Sequence, residues 1–285
     1  MNRRSKEALF FNIFRGCALF VVIVLVVILG YILINGVGKL SIDLFTQNPA
    51  PNSHGAMVAG GILSPIVGTL MLMAIVLIIA VPAGVFGAVF LVEYGGNNRI
   101  SRAWWMIVNN LAGVPSIVWG LVGVGLLVYY LNFGLSLLAA GVTLSFVILP
   151  LIMVATKEAI EAIPPSIREA SVALGATKWQ TVRHHILPYS ASGILTGIIL
   201  SLSRAAGETA PILLTGVAVN AAIPSSLSDS VQALPYYIYL MTQTSDRSAA
   251  IPMAYAAALV LIGVIVLLNL GAIILRNRYR QKYRW

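Results

Sequence analysis

The chain has 285 residues, of which 59% are hydrophobic and 9% charged, and its mean hydropathy is +0.92. A soluble domain carries about 25% charged residues, so this composition excludes a compact soluble globule and predicts that lipid surrounds much of the chain. The formal net charge of +9 is better explained by basic residues at the cytoplasmic ends of spanning helices than by nucleic-acid binding.

Apolar runs long enough to cross a bilayer, which takes about 20 residues, follow one another along the chain. The run 103–156 carries no charge, and as a single helix it would be about 80 Å long. We therefore expect the turn residues Asn132, Phe133 and Gly134 to divide it into two helices. Pro82 is expected to interrupt the second run. The sequence predicts an all-α integral membrane protein with about six transmembrane helices, in the runs 17–35, 66–92, 103–156, 193–214 and 251–275.

Lysines and arginines are distributed asymmetrically among the segments between these runs. With the N-terminus inside, only Lys39 and Arg247 lie outside, and Arg204 falls within a span. The positive-inside rule then predicts that both termini are cytoplasmic. The segment 228–243 would lie outside, and its tyrosines are typical of a helix at the lipid–water interface. A structural anchor is the favoured role for it, and a docking surface for an external partner is the alternative.

Residue types needed for chemistry are scarce. Cys17 is the only cysteine, and His54, His184 and His185 are too few and too scattered for a metal site. No glycine-rich loop ends in Gly-Lys-Ser or Gly-Lys-Thr, so the chain is not expected to hold ATP. We expect no catalytic residue, no metal and no cofactor bound by this chain.

The loop at 157–188 carries signals for short helices. Ser166 stands three residues before Glu169, the spacing of a capping box, and this predicts a helix over 167–174. Gly175 can end that helix in a left-handed conformation.

Thr177 and Gln180 form a second capping-box pattern, and Pro188 marks the entry to the fifth span. Two short capped helices with a glycine elbow predict a compact protrusion into the cytoplasm. An ordinary amphipathic loop is the alternative interpretation.

The spacing Glu169-Ala170-Ser171, three residues, Gly175, then Leu187-Pro188 resembles the Glu-Ala-Ala loop of binding-protein-dependent ABC importers. In that family the loop is the coupling helix that fits a groove on the ATPase subunit. Ser171 replaces an alanine of the family pattern, and His185 replaces an isoleucine or valine, which leaves the hydrophobic seat of the second helix open. The resemblance implies an ATPase-coupling role for Glu169, Ala170, Ser171, Gly175, Lys178 and Trp179.

A wider resemblance covers the chain from about residue 60 onward. The segments 111–121 and 173–182, and Arg204 followed by Gly207-Glu208-Thr209-Ala210-Pro211, are similar to PstA-type permeases of phosphate ABC importers. The resemblance implies a MetI-like, type I ABC importer permease fold. Residues 1–60 would form a cytoplasmic tail, the first transmembrane helix and an external loop. Residues 61–285 would form the permease core, with the coupling loop at 157–188.

The same resemblance implies partners and a location. A sister permease subunit would complete the pore, two ATPase subunits would bind ATP and magnesium, and a periplasmic or lipid-anchored protein would deliver phosphate. The chain would be a multi-pass protein of a bacterial or archaeal plasma (inner) membrane, with no nucleic-acid partner.

Arg204 and Glu208 lie four residues apart, a spacing that places them on one face of a helix. A charge inside a bilayer usually faces a partner or a water-filled cavity, so an anion pathway is one interpretation and a structural ion pair is the other. Pro211 is expected to free a backbone carbonyl near Gly207. Hydroxyl donors to such a pathway would be Ser201, Ser203 and Thr209, and weaker candidates on the third span are Asn109, Asn110 and Ser116.

Three rival functions are carried forward. The first is the same type of importer with another oxyanion, such as molybdate or sulfate. The second is an ion-coupled secondary transporter, which usually shows internal repeats that this sequence lacks. The third is an intramembrane enzyme acting on lipids, for which no reactive constellation is present in the sequence.

Overall fold

The computed structural model describes residues 3–51, 59–96 and 98–282, so His54 lies outside the described residues. The first part contains α1 Arg3–Gly36, α2 Ile42–Thr46, the antiparallel pair β1 Pro49–Ala50 and β2 Ala59–Gly60, and α3 Leu63–Val89. The middle part contains α4 Arg99–Ala112, α5 Ser116–Gly123, α6 Leu137–Glu161, α7 Pro165–Ala173 and α8 Lys178–Thr181. The last part contains α9 Leu187–Gly207, α10 Ala210–Thr215, α11 Leu234–Gln243 and α12 Arg247–Lys282. Short 3₁₀ and π-helical turns extend some of these elements at Val37–Lys39, Phe90–Tyr94, Val124–Tyr130 and Val182–Ile186.

Within the described residues, five helices are long and apolar enough to cross a membrane, and a bent pair makes a sixth. This confirms the predicted all-α membrane protein of about six spans. The predicted turn is also confirmed, because Asn132 and Gly134 both have positive φ, at 55° and 64°. The expected interruption at Pro82 is wrong, since α3 continues through that residue.

The third span differs from the single helix that the sequence predicts. It consists of α4 and α5 with its π-helical extension, and the two parts meet at an angle of 100°. The break lies at Gly113, Val114 and Pro115, because proline has no N–H to donate and disfavours the helical conformation of the residue before it. Pro115 itself is extended, with ψ at 137°.

The core of the bundle is formed where α3 and α9 pack against α6. In the most apolar stretch of α6 67% of the residues are buried, whereas in that of α1 0% are buried, and α1 packs mainly along α12. Glycines allow the close contact between α6 and α9, since a Cβ at Gly193 would lie 2.7 Å from the Cβ of Ala159. The helix that follows the predicted loop is therefore held directly against the central helix.

The fifth span also differs from its predicted bounds of 193–214. A continuous helical segment runs from Lys178 to Gly207, through α8, a π-helical turn and α9. Pro188 lies in the first turn of α9, as predicted for the entry to the fifth span. The second short helix is not separate from that span, because the π-helical turn before the proline connects α8 to α9. The helix ends at Glu208, which is extended with φ −71° and ψ 130°.

Only part of the predicted interfacial segment 228–243 is helical, in α11. Tyr236 and Tyr237 are buried inside the bundle, and only Tyr239 is exposed. The tyrosines therefore anchor α11 mainly to the protein and not to the lipid surface. The apolar residues of α11 pack against α12 and the start of α3.

Candidate functional site

We call α7, α8 and the turn between them, residues 165–181, the knob. α7 begins at Pro165, with Pro164 as its N-cap and no side-chain capping bond. The predicted capping box of Ser166 and Glu169 is therefore wrong, because proline at the first helical position starts the helix earlier and needs no N–H partner. Ser166 lies inside α7.

The capping box of α8 is confirmed. The Gln180 N–H donates to Thr177 Oγ1 at 3.3 Å, and the Thr177 N–H donates to Gln180 Oε1 at 2.8 Å. These two bonds satisfy backbone donors that the helix start would otherwise leave free. The start of α8 is thus fixed locally, by residues three positions apart.

Gly175 ends α7 in the predicted left-handed conformation, with φ at +81°. The Gly175 N–H donates to the carbonyl of Val172 at 2.9 Å, and the Ala176 N–H donates to the carbonyl of Ser171 at 3.2 Å. This pair of bonds is the Schellman motif. A Cβ at Gly175 would meet no atom within 4 Å, so the backbone conformation alone favours glycine here.

Ser171 joins the two helices of the knob. Its Oγ lies 2.8 Å from Thr181 Oγ1, and both residues are buried. A buried hydroxyl needs a partner, and each supplies it for the other. The serine that departs from the alanine of the family pattern therefore has a structural role of its own.

Residues next to His185 supply the apolar packing that an isoleucine or valine would provide at this position of the family pattern. Val182 and Ile186 are fully buried, and they pack with Val89, Ile160 and Ile163 at the ends of α3 and α6. His185 itself is half-buried, and its ring lies 6.3 Å from the ring of Tyr189. His185 thus lies beside this apolar cluster and does not weaken its packing.

The outer surface of the knob is exposed and partly apolar. Glu169 and Ala170 are exposed, as are Val172, Leu174 and Trp179, of which Leu174 is the extreme at 89%. The Lys178 ammonium lies 5.2 Å from the centre of the Tyr94 ring and so contacts the π-helical turn that follows α3. Apolar side chains grouped on a surface of this kind are typical of an interaction site.

Arg168, on the inner side of the knob, makes contacts that the sequence did not predict. Its Nη2 donates to Glu93 Oε1 at 3.0 Å and its Nε donates to the same oxygen at 3.2 Å. Nη1 and Nη2 also donate to the carbonyls of Ile163 and Ile160, each at 3.1 Å. The one available signal was a single carboxylate, Glu93, directly after a long uncharged run.

Arg204 and Glu208 form an ion pair at the point where α9 ends. Arg204 Nε donates to Glu208 Oε1 at 3.3 Å. Glu208 follows the helix and is extended, so the pair joins the last turn of α9 to the break and does not lie along one helix face. The Arg204 side chain is 53% exposed and the Glu208 side chain 14%. Within the described residues, the contact through Nε is the only hydrogen bond of this guanidinium.

The predicted hydroxyl donors do not all gather at this pair. Ser203 Oγ lies 2.8 Å from the Ile199 carbonyl and 2.7 Å from Asn269 Oδ1, so it contacts α12 and not Arg204. Ser201 is buried inside the bundle. Thr209 directly follows Glu208 and is the N-cap of α10. Thr209 is thus next to the pair in sequence only, and Ser203 is directed toward α12, because neighbouring helix positions point in different directions.

The breaks in the third and fifth spans lie close together. A Cβ at Gly120 in α5 would lie 3.0 Å from Pro211 Cα and 3.2 Å from the Ala210 carbonyl oxygen. The first turn of α10 therefore packs on the second turn of α5. Asn109 and Asn110, before the break in the third span, are exposed, and Ser116 after it is half-buried.

Comparisons with known proteins bear on this site. Residues 80–284 match the family model for the binding-protein-dependent transport system inner membrane component. The chain is 37% identical to the phosphate transport system permease protein PstA 1 of Mycobacterium tuberculosis (strain CDC 1551 / Oshkosh), over 76% of this chain and 71% of the relative.

A second relative extends the match to nearly the whole chain. It is the phosphate transport system permease protein PstA of Yersinia pestis, 32% identical over 95% of this chain and 90% of that protein. Among solved structures, a chain of a bacterial alginate ABC transporter in complex with an alginate-bound periplasmic protein is similar, with a TM-score of 0.69. That chain is 16% identical, over 94% of this chain and 93% of its own length, so the likeness concerns the fold.

Proposed function

Because the chain belongs to the family of binding-protein-dependent transport system inner membrane components, with the MetI-like fold, we propose that it is a permease subunit of an ATP-driven phosphate importer. It forms half of the translocation pore with a sister permease subunit and couples to a cytoplasmic ATPase through the knob. The phosphate transport permeases of two distant bacteria support the substrate.

The half-exposed guanidinium of Arg204 is the observation that carries this proposal. An exposed charge at a break in a spanning helix is costly in lipid, so it must face a partner or a water-filled path. A guanidinium can bind phosphate through two parallel hydrogen bonds. Glu208 engages only Nε, which leaves the opposite edge of the guanidinium for an incoming anion.

Glu208 and Thr209 complete the path on this chain. The largely buried carboxylate of Glu208 repels an anion bound at Arg204, so phosphate is released instead of trapped. The Thr209 hydroxyl can donate a hydrogen bond to a phosphate oxygen. Ser201 and Ser203 have at most an indirect role, because Ser201 is buried and Ser203 already contacts Asn269.

The exposed surface of the knob supports the coupling role. Ala170 permits close approach of another backbone, and Val172, Leu174 and Trp179 offer apolar area to a groove. Glu169 supplies a charge at the rim. ATP and magnesium belong to the ATPase partner, so the chain itself is not an enzyme in this proposal.

The same proposal sets the orientation. The knob and both termini face the cytoplasm, and the turn at Asn132 and the segment between α10 and α11 face outward, where a phosphate-binding protein docks. The distribution of lysine and arginine supports this arrangement. The membrane is the plasma (inner) membrane of a bacterium or archaeon.

Reconstitution of the whole complex tests the function. The chain, its sister permease and the ATPase are purified together in liposomes, the binding protein is added on the outside, and uptake of radiolabelled phosphate is measured with and without ATP. We expect ATP-dependent uptake that excess sulfate or molybdate does not reduce. Competition by either anion would assign another oxyanion, and uptake that persists without the ATPase would indicate an ion-coupled carrier.

A further inference from the structure

The first helix of the knob is short and has little apolar contact with the rest of the chain. α7 has nine residues, whereas an isolated helix in water needs about 12–15 residues to be even marginally stable. Of the α7 residues, Ile167 packs against the apolar cluster of Val182 and Ile186, and it is only partly buried. Ser171 ties α7 to α8. The position of α7 relative to the membrane spans therefore depends on contacts other than apolar packing.

Arg168 supplies that connection. Its guanidinium makes four hydrogen bonds, two to Glu93 after α3 and two to the carbonyls of Ile160 and Ile163 where α6 ends. The carbonyls at the C-terminal end of a helix carry partial negative charge, so both a carboxylate and a helix end attract the same cation. One side chain thus joins α7 to the ends of two spans.

The burial of this pair is informative. The Glu93 side chain is 9% exposed and the Arg168 side chain 27%. A buried ion pair often adds little net stability over apolar packing, because both charges lose their hydration. The apolar cluster around Ile160 already seats the adjoining helix. The pair therefore contributes what apolar packing does not, a fixed direction and distance between α7 and the two spans.

We propose that Arg168 and Glu93 form a rigid strut that transmits movement of the knob to the ends of α3 and α6. The proposal rests on the coupling role proposed above. A push on the exposed surface of α7 reaches the fifth span through the bond of Ser171 to α8, because α8 continues into α9. The strut carries the same push to the second and fourth spans, so the three spans move together. Glu93 and Arg168 are positioning residues that contact neither substrate nor nucleotide.

Glu93→Gln is the decisive variant, because it keeps the shape of the side chain and removes its charge. In the reconstituted complex, the number of phosphate ions moved per ATP hydrolysed should fall by about fivefold or more, the lower end of typical coupling between sites. ATP hydrolysis itself and the amount of assembled complex should stay unchanged. Glu93→Asp, which keeps the charge at a shorter reach, should restore part of the ratio.

The matched control is Glu161→Gln. Glu161 lies 3.9 Å from Lys157 in an ion pair at the same end of the bundle, but its side chain is 55% exposed. It should leave the ratio at the wild-type value. A ratio in Glu93→Gln equal to the wild type would overturn the strut. So would a loss of assembled complex with a normal ratio per complex, which would mean that the pair only stabilises the fold.

A second measurement does not depend on the transported ion. Spin labels are attached at Ser166→Cys in α7 and Phe86→Cys in α3, and Cys17→Ser removes the native cysteine that would also be labelled. Pulsed electron paramagnetic resonance then reports the distance between the two helices. The distribution in the assembled complex should be narrow, and Glu93→Gln should broaden it. An unchanged distribution would contradict the strut, whereas failure of wild-type phosphate uptake would contradict only the proposed function.

Discussion

Two arginine–glutamate pairs among the described residues are in opposite situations. The pair of Arg168 and Glu93 joins residues 75 positions apart, and its guanidinium also binds two backbone carbonyls. The pair of Arg204 and Glu208 joins residues four positions apart through one nitrogen, and its arginine is 53% exposed. The first guanidinium uses four of its five N–H donors and holds parts of the chain together. The second keeps most of its donors available.

The difference separates a structural pair from a binding pair. An arginine that binds a passing anion must keep a planar edge free, since the two parallel hydrogen bonds need two adjacent N–H groups. An arginine that transmits force must be held by several bonds to the chain itself. The residue types are the same in both places, and only the partners distinguish them.

The largest effect is expected at the pair of Arg204 and Glu208. Arg204→Gln should abolish phosphate uptake while leaving the protein in the membrane, because an amide cannot replace the charge that attracts phosphate. Uptake in reconstituted liposomes and the amount of membrane-inserted protein are the measurements. Arg102→Gln, an exposed arginine of α4, is the control and should transport normally. Normal uptake by Arg204→Gln would remove the pathway from this pair.

The second largest effect is expected in the knob, which the pair of Arg168 and Glu93 holds. A valine at Gly175 must adopt φ of +81°, which costs about 1–2 kcal/mol, enough to lower retention of the ATPase about tenfold. Co-purification of the ATPase with Gly175→Val measures it.

Gly134→Val is a closely matched control for Gly175→Val. Gly134 also has positive φ, at 64°, and a Cβ there also meets no atom within 4 Å, but it lies at the other end of the bundle. It should keep the full complement of ATPase. Equal retention by both variants would contradict the role of the knob in docking.

Glu208→Gln sharpens the contrast between the pairs. Without its carboxylate, Arg204 should hold phosphate more tightly, so that the apparent KM and the maximal rate both fall, by about tenfold for about 1.4 kcal/mol. Kinetics of uptake against phosphate concentration separate the two parameters. Glu93→Gln should leave the apparent KM at the wild-type value. An unchanged KM in Glu208→Gln would mean that the carboxylate serves only to pair with Arg204.

The smallest effect is expected inside the knob. Ser171→Ala removes the hydrogen bond to Thr181, which contributes about 1 kcal/mol, and the melting temperature of the purified chain should fall by about 2 °C. Ser166→Ala is the control. It should leave the melting temperature unchanged, since the structure begins α7 at Pro165 without a cap from Ser166. A fall in Ser166→Ala would restore the capping box that the sequence predicted.

Local patterns in the sequence predicted the features that depend on neighbouring residues. The spans, the turn at Asn132, the capping box at Thr177 and the left-handed Gly175 all arise within a few positions of the chain. The sequence did not predict the 100° bend before Pro115. Proline breaks the third span there but is tolerated inside α3 at Pro82, and only tertiary packing separates the two cases.

Contacts between distant residues could not be predicted in this way. No local rule pairs Arg168 with Glu93, or turns Ser203 toward Asn269. The resemblance to known permeases suggested candidate residues in the fifth span, and the structure shows that Ser203 contacts Asn269 while Ser201 is buried.

The unbroken helical segment from Lys178 to Gly207 makes the knob and Arg204 two ends of one lever. At about 1.5 Å per residue, Lys178 and Arg204 are about 39 Å apart along its axis. Pivoted at the knob, a tilt of about 5° would carry the guanidinium about 3 Å sideways, roughly the length of one hydrogen bond. A rotation too small to alter the packing of a knob could therefore make or break the contact between arginine and anion.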